Sequence, residues 1–153
     1  MLVKQLLSMK SNSGKPGIAA DTVVTIAPTA TLGEAAKLLA ERRIGAVVVS
    51  SDGTRPEGIL SERDIVRQLG PGGAQALSEP IGGVMTRSVQ TCSPADDALT
   101  ILERMTEGRF RHMPVVDEDG RMLGVISIGD AVSGRLKELA AEKEALTGMI
   151  MGA

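Results

Sequence analysis

Aromatic side chains are nearly missing from this chain: Phe110 stands alone, with no tryptophan and no tyrosine. Stacking platforms for single-stranded bases are thereby excluded, so any base the chain recognises must be held by backbone and aliphatic groups. The single cysteine, Cys92, cannot close an intramolecular disulfide, and with a single histidine, His112, there is no Cys/His cluster of zinc-binding spacing. No metal is expected, and a reducing cytoplasm is the natural compartment. Positive charge is not in excess either. The formal net charge is −2, so no global basic field exists to neutralise a phosphate backbone, and nucleic acid is not an expected partner. No apolar run approaches the roughly 20 residues that span a bilayer, and the opening MLVKQLLSMK is too short and too interrupted by lysine for a signal segment. A soluble protein without a membrane partner is the expectation.

Catalytic groups are equally sparse. Cys92 precedes Ser93-Pro94 with no basic neighbour to lower its pKa, which leaves His112 as the one conceivable general base. No catalytic residue is assigned.

What is present is a repeat. At an offset of 66 residues, Pro28 matches Pro94, Glu41 matches Glu107, Arg43 matches Arg109, Val49 matches Val115, Gly58 matches Gly124, Ser61 matches Ser127 and Asp64 matches Asp130, with no gap. Apolar positions keep the same register: Leu32, Ala35, Ala36 and Leu39 fall on Ala98, Ile101, Leu102 and Met105, an i, i+3, i+4, i+7 helical face.

Each half reads strand, helix, strand, strand, helix. The first half predicts a strand at residues 22 to 26 and a helix over 32 to 42, with Thr31 and Glu34 as a capping box. A buried strand at 45 to 50 follows, then a turn at Ser51-Asp52-Gly53, a return strand at 57 to 60 and a helix in SERDIVRQL. The second half predicts strand SVQT, a helix over 98 to 106, strand MPVV, a turn at Glu118-Asp119-Gly120, strand MLGVI and a helix from Ile128. Residues 1 to 69 are assigned to the first repeat, 70 to 83 to a linker, 84 to 136 to the second repeat and 137 to 153 to a helical extension. The Gly/Ser/Pro-rich stretch 11 to 21 reads as an inserted loop; both it and the linker are expected to be mobile. The extension carries Leu136, Leu139 and Leu146 on an approximate stripe, read as packed on its own domain or, more sharply, as a dimer contact.

IGAVVVSSDGTRPEGILSERDIV and FRHMPVVDEDGRMLGVISIGDAV resemble the repeats of the cystathionine-β-synthase-type (CBS) domain family. The shared signature is an apolar strand, a glycine turn, then Gly-apolar-apolar-Ser-x-x-Asp leading into a helix. VMT at 84 to 86 is similar to the element that opens such a repeat. The resemblance covers residues 20 to 136 and identifies a stand-alone tandem pair, a Bateman module. It departs from the pattern at Val48, where proline is common, and at Ser50-Ser51, where an acid is expected. The implied fold is α/β of α+β character: two pseudo-two-fold-related β-α-β-β-α repeats packed through their sheets, with two clefts for adenosine derivatives.

Residues follow from the motif. Ser61 and Ser127 stand where strand becomes helix and can leave the first backbone N–H groups to a phosphate. Asp64 and Asp130, three residues on, can each accept both hydroxyls of a ribose. The resemblance pairs Asp64 with Thr86, Gln90, Phe110, Arg111 and His112, and Asp130 with Val24, Ile44, Gly45 and Ala46. Arg63, Arg111 and His112 equip the first cleft for phosphate, where the second offers Ile128 and Gly129. The implied function is a non-catalytic regulatory module that binds an adenine nucleotide of the AMP, ADP, ATP or NAD class, forms a homodimer and signals to a protein effector. The alternative is a ligand-free dimeric scaffold of the same fold.

Overall fold

The computed structural model describes residues 1 to 11 and 23 to 151. The loop expected at 11 to 21 lies outside the described residues except for Ser11, which ends helix α1 (Val3–Ser11). The first repeat then runs β1 (Thr25–Ile26), α2 (Leu32–Arg42), β2 (Ala46–Val49), β3 (Gly58–Ser61) and α3 (Glu62–Gly72). Helix α2 begins where the sequence places it. Thr31 is extended, its side chain accepts the Glu34 N–H at 3.2 Å, and the Glu34 carboxylate accepts the Thr31 N–H at 3.2 Å. Such a cap is worth about 1 kcal/mol. The helix buries Leu32, Ala35 and Leu39, then stops at Arg43, whose φ of 54° is left-handed. Strand β2 is central, parallel to β1 and antiparallel to β3.

The second repeat contains α4 (Ala98–Gly108), β4 (His112–Val116), β5 (Met122–Ser127) and α5 (Ile128–Met151). Its α4 also ends on a left-handed arginine, Arg109, at φ 55°. Strands β4 and β5 pair antiparallel, with an irregularity between Val115 and Val116. The strand expected at SVQT does not form. It contracts to one parallel bridge, Cys92 to Val115, the counterpart of the Ile26 to Val49 pairing in the first repeat. The counterpart of the Thr25 to Val48 pair would be Thr91 to Pro114, and Pro114 has no N–H to donate to the neighbouring strand, so the ladder stops at Cys92.

The Ser50-Ser51 departure is absorbed by turn chemistry shifted one residue. Asp52 Oδ1 accepts the N–H groups of Thr54 and Arg55, as Asp117 Oδ1 accepts those of Asp119 and Arg121 in the second repeat. The two turns also touch: the Met122 N–H donates to the Thr54 carbonyl at 2.8 Å, and Arg55 donates to the Asp119 carbonyl at 3.1 Å.

Each repeat completes its core with a segment from outside its own register. Residues 73 to 83, read from sequence as part of a mobile linker, form two 3-10 turns, Gly73–Ser78 and Ile81–Gly83. Ala76 and Ile81 are buried there, and Ile81 and Met85 join Leu32, Leu39, Val47, Val49 and Leu60 in one apolar cluster. Helix α1, counted above with the first repeat by its place in the chain, packs instead on the second. Val3 and Leu6 are buried among Ile101, Met105, Met113, Val115 and Ile126. Beyond Glu138 every described residue of α5 is exposed, which corrects the expectation that the extension packs on its own domain. No helix among the described residues is long and apolar enough to cross a membrane.

Candidate functional site

The first Ser-x-x-Asp turn is built by a reciprocal cap. Ser61 is extended, its Oγ accepts the Asp64 N–H at 3.3 Å, and Asp64 Oδ2 accepts both the Ser61 N–H at 2.8 Å and the Ser61 hydroxyl at 3.0 Å. Asp64 is thus a structural part of the α3 start as well as a candidate ligand group. Its other oxygen, Oδ1, has no hydrogen-bond partner among the described residues. The adjoining strand is held from the second repeat's side. The Ile59 N–H donates to the Thr86 carbonyl at 3.0 Å, and the Thr86 N–H donates to the Ile59 carbonyl at 2.9 Å.

A cavity of about 590 Å³ opens at this turn. It gathers Ser61, Arg63, Asp64, Thr86, Gln90, Phe110, Arg111 and His112, every residue that sequence reasoning assigned to the first cleft. Gly45, paired above with Asp130, lines this cavity, its carbonyl accepting the Glu62 N–H at 3.0 Å beside the first residue of α3. Val24, Ile44, Ala46, Ser127, Gly129 and Asp130 do not line it. Val24 and Ile44 pack against the first repeat's core, and Ala46 pairs with Ser61 in the sheet.

Sequence reasoning missed Glu62, Arg67 and Arg109 on the cavity wall. Arg67 was within reach of inspection, because it lies four residues after Arg63 and hence on the same face of α3. Arg109 was visible only as an unexplained match to Arg43, whose meaning is the left-handed helix stop. The cavity wall therefore carries four guanidinium groups, Arg63, Arg67, Arg109 and Arg111, against the carboxylates of Glu62 and Asp64. None of the four arginines forms an ion pair among the described residues. A chain of net negative charge thus presents a locally positive cavity.

His112 is half-buried at the start of β4, and burial pushes its imidazole below the usual histidine range. The nearby cations Lys10 and Arg111 act in the same direction, opposed by Asp130 and Glu62. Cys92 is buried, and burial together with Asp96 pushes its thiol up to about 12. No group of three or more metal-ligating side chains exists among the described residues.

The second Ser-x-x-Asp turn has the same cap but different company. The Ser127 N–H donates to Asp130 Oδ2 at 2.8 Å, and the Asp130 N–H donates to Ser127 Oγ at 3.1 Å. The ammonium of Lys10, from the end of α1, lies 2.9 Å from the same Oδ2 and donates to the Val125 carbonyl at 2.8 Å. Burial alone would raise the Asp130 pKa. The Ser127 and Lys10 hydrogen bonds outweigh it and hold the carboxyl below its usual range.

A family model described as the CBS domain matches residues 17–70 and 81–136, one match for each half. The chain belongs to the CBS domain family. A CBS-domain-containing protein of Agrobacterium tumefaciens is 40% identical and superposes with a TM-score of 0.77, over 88% of this chain and 99% of its own. A CBS domain protein of Pyrobaculum aerophilum, solved in complex with AMP, is 27% identical with a TM-score of 0.69, over 85% of this chain and 89% of its own. The mitochondrial CBS domain-containing protein CBSX3 of Arabidopsis thaliana is 33% identical over 126 residues, 80% of this chain, and the chain spans 61% of that relative's length. The likeness to these CBS pairs establishes the α+β architecture of two repeats.

Proposed function

We propose that this CBS pair is a non-catalytic regulatory module that takes an adenine nucleotide in the cavity beside Asp64. The observation that carries the reading is the convergence of four unpaired arginines and His112 on a strand-to-helix turn whose aspartate keeps one carboxylate oxygen unengaged. A ribose diol suits that oxygen, and phosphates suit guanidinium forks beside the α3 N-terminus. The volume of about 590 Å³ falls within the usual span for small-molecule sites, roughly 300 to 1,000 Å³. The AMP held by the Pyrobaculum relative is consistent with this choice of ligand.

The same walls supply the regulatory mechanism. Ser61, Arg63 and Asp64 come from the first repeat, while Gln90, Phe110, Arg111 and His112 come from the second. A nucleotide held by both groups favours one packing of the repeats, and a protein effector reads that shift. Catalysis is not part of the proposal. The one thiol is buried and held protonated, and burial, reinforced by Lys10 and Arg111, weakens the imidazole as a base.

The homodimer belongs to the same reading. Leu146, Met149, Ile150 and Met151 are exposed at the end of α5, and a second copy is the proposed cover for them. A cytoplasmic location is likewise proposed, from a sequence with one cysteine and so no disulfide framework.

The experiment is the heat-denaturation midpoint measured against AMP, ADP, ATP, NAD, NADH and S-adenosylmethionine. A ligand that prefers the folded state raises it. An adenine nucleotide carrying phosphate is expected to give the largest rise; no rise with any of the six leaves the scaffold reading in possession.

A further inference from the structure

We infer that Arg67 and Arg109 form a second anion subsite in the cavity beside Asp64, so that an adenosine diphosphate is preferred there to the monophosphate. The inference rests on the reading of this cavity as an adenine-nucleotide site.

The cavity's arginines come in two pairs, one from each repeat. Arg63 stands in the first turn of α3 beside Asp64, and Arg67 lies one turn farther from the helix start, about 6 Å along its axis. From the second repeat, Arg109 ends α4 and Arg111 precedes β4. The repeat itself does not call for these charges. Sixty-six residues away, the counterparts of Arg63, Arg67 and Arg111 are Gly129, Ser133 and Gly45, so the fold accepts an uncharged residue at each position. Only Arg109 has a charged counterpart, Arg43, at the equivalent helix stop. All four arginines are exposed, and none forms an ion pair among the described residues. Like charges gathered without partners repel one another, a cost that a bound anion removes.

Charge decides how much anion the cavity takes. Its guanidinium groups, set against Glu62 and Asp64, leave an excess of two positive charges, and the α3 N-terminus adds about one half. His112, held below the usual histidine range by burial, adds none at neutral pH. A nucleoside monophosphate brings about 1.5 to 2 negative charges, and each further phosphate about one more. The diphosphate therefore matches the excess. The monophosphate leaves part of it unmatched, and the triphosphate exceeds it. Because the two arginine pairs belong to different repeats, a phosphate chain held by both ties the repeats together at this cavity.

Calorimetric titration with AMP, ADP and ATP, free of divalent cations and at one ionic strength, is the test. Exposed ion pairs are worth little apiece, so two of them should make ADP bind about five-fold tighter than AMP, with ATP no tighter than ADP. The ratio of ADP to AMP affinity should vanish in Arg67→Gln/Arg109→Gln and should shrink as salt is raised. AMP binding as tightly as ADP in the wild type, or a ratio that survives the double variant, overturns the second subsite and leaves the nucleotide reading standing. ATP binding tighter than ADP by a further step of the same size overturns the match of charge. If none of the three binds, the nucleotide reading fails and the subsite falls with it. The wild-type comparison depends on no variant, and a circular-dichroism melt of the double variant matching wild type confirms that folding is not the cause of a lost ratio.

Discussion

The two repeats carry the same Ser-x-x-Asp turn with the same pair of reciprocal backbone N–H bonds, yet one turn faces a cavity and the other faces a lysine. The cap geometry is local, so it recurs wherever the motif recurs. What surrounds the cap is not local. The first repeat is finished by residues 73 to 86, which close its core through Ile81 and pair Thr86 with β3. The second is finished by α1, which closes its core through Val3 and Leu6 and brings Lys10 with it. A motif therefore specifies where a ligand can be gripped, while the segment that completes the core decides what stands beside it.

The largest effect should come from those completing segments. Leu6→Ala and Ile81→Ala each remove a fully buried side chain and should cost about 2 to 5 kcal/mol in urea unfolding. Similar losses would show that both repeats depend on a segment outside their register; a loss below about 1 kcal/mol for Leu6→Ala would break the comparison on the α1 side.

Next is the contrast between the aspartates. Hydrogen bonds to a charged acceptor are worth about 1.5 to 3 kcal/mol, so Asp64→Ala should weaken nucleotide binding by roughly ten-fold to more than a hundred-fold, while Asp130→Ala leaves the affinity unchanged. Titration calorimetry of both variants decides it. Asp64→Ala also removes half of a capping box and should lower stability by about 0.5 to 2 kcal/mol, more than first-turn charge alone would imply.

Smaller still is the difference between Gly58 and Gly124. A Cβ at Gly58 would meet Met85 Sδ at 2.5 Å and the Thr86 carbonyl at 3.0 Å, so backbone must give way. At Gly124 the near atom is the end of the flexible Leu7 side chain. Gly58→Ala should cost about 1 to 3 kcal/mol, and Gly124→Ala under about 1 kcal/mol, by thermal unfolding.

The mildest expected effect is on pH dependence. The folded state holds His112 below its ordinary value of 6.5, chiefly by burial, so the unfolded chain binds the proton first as pH falls. Stability should decline on acidification below about 6.5, and His112→Gln should flatten that part of the profile. An unchanged slope would show that Asp130 and Glu62 offset the burial of His112 and its neighbouring cations.

Much of this was legible in the sequence because it is local. Thr31 and Glu34, Ser61 and Asp64, and the arginine matched at 43 and 109 all act within a turn of their own position, and the repeat exposes them twice. Strand SVQT was misread because β propensity says nothing of its partner: the facing position holds Pro114, which has no N–H for the ladder. Residues 70 to 83 read as linker because Gly and Pro mark breaks in regular structure. Short 3-10 turns can still bury an Ile81 between such breaks.

By itself the sequence determined the doubled α+β architecture, because a repeat in register carries its own alignment, and its resemblance to the CBS family named the eight residues that line the first cleft. Only the tertiary structure decided that Gly45 and Arg109 share that cavity, that α1 belongs to the second repeat's core, and that Lys10 rests on Asp130. Lys10 and Asp130 are far apart in the chain and Lys10 lies outside the repeat register, so no periodicity or motif connects them. Their meeting is set by the burial of Val3 and Leu6, a hydrophobic drive that is non-directional and becomes specific only through packing.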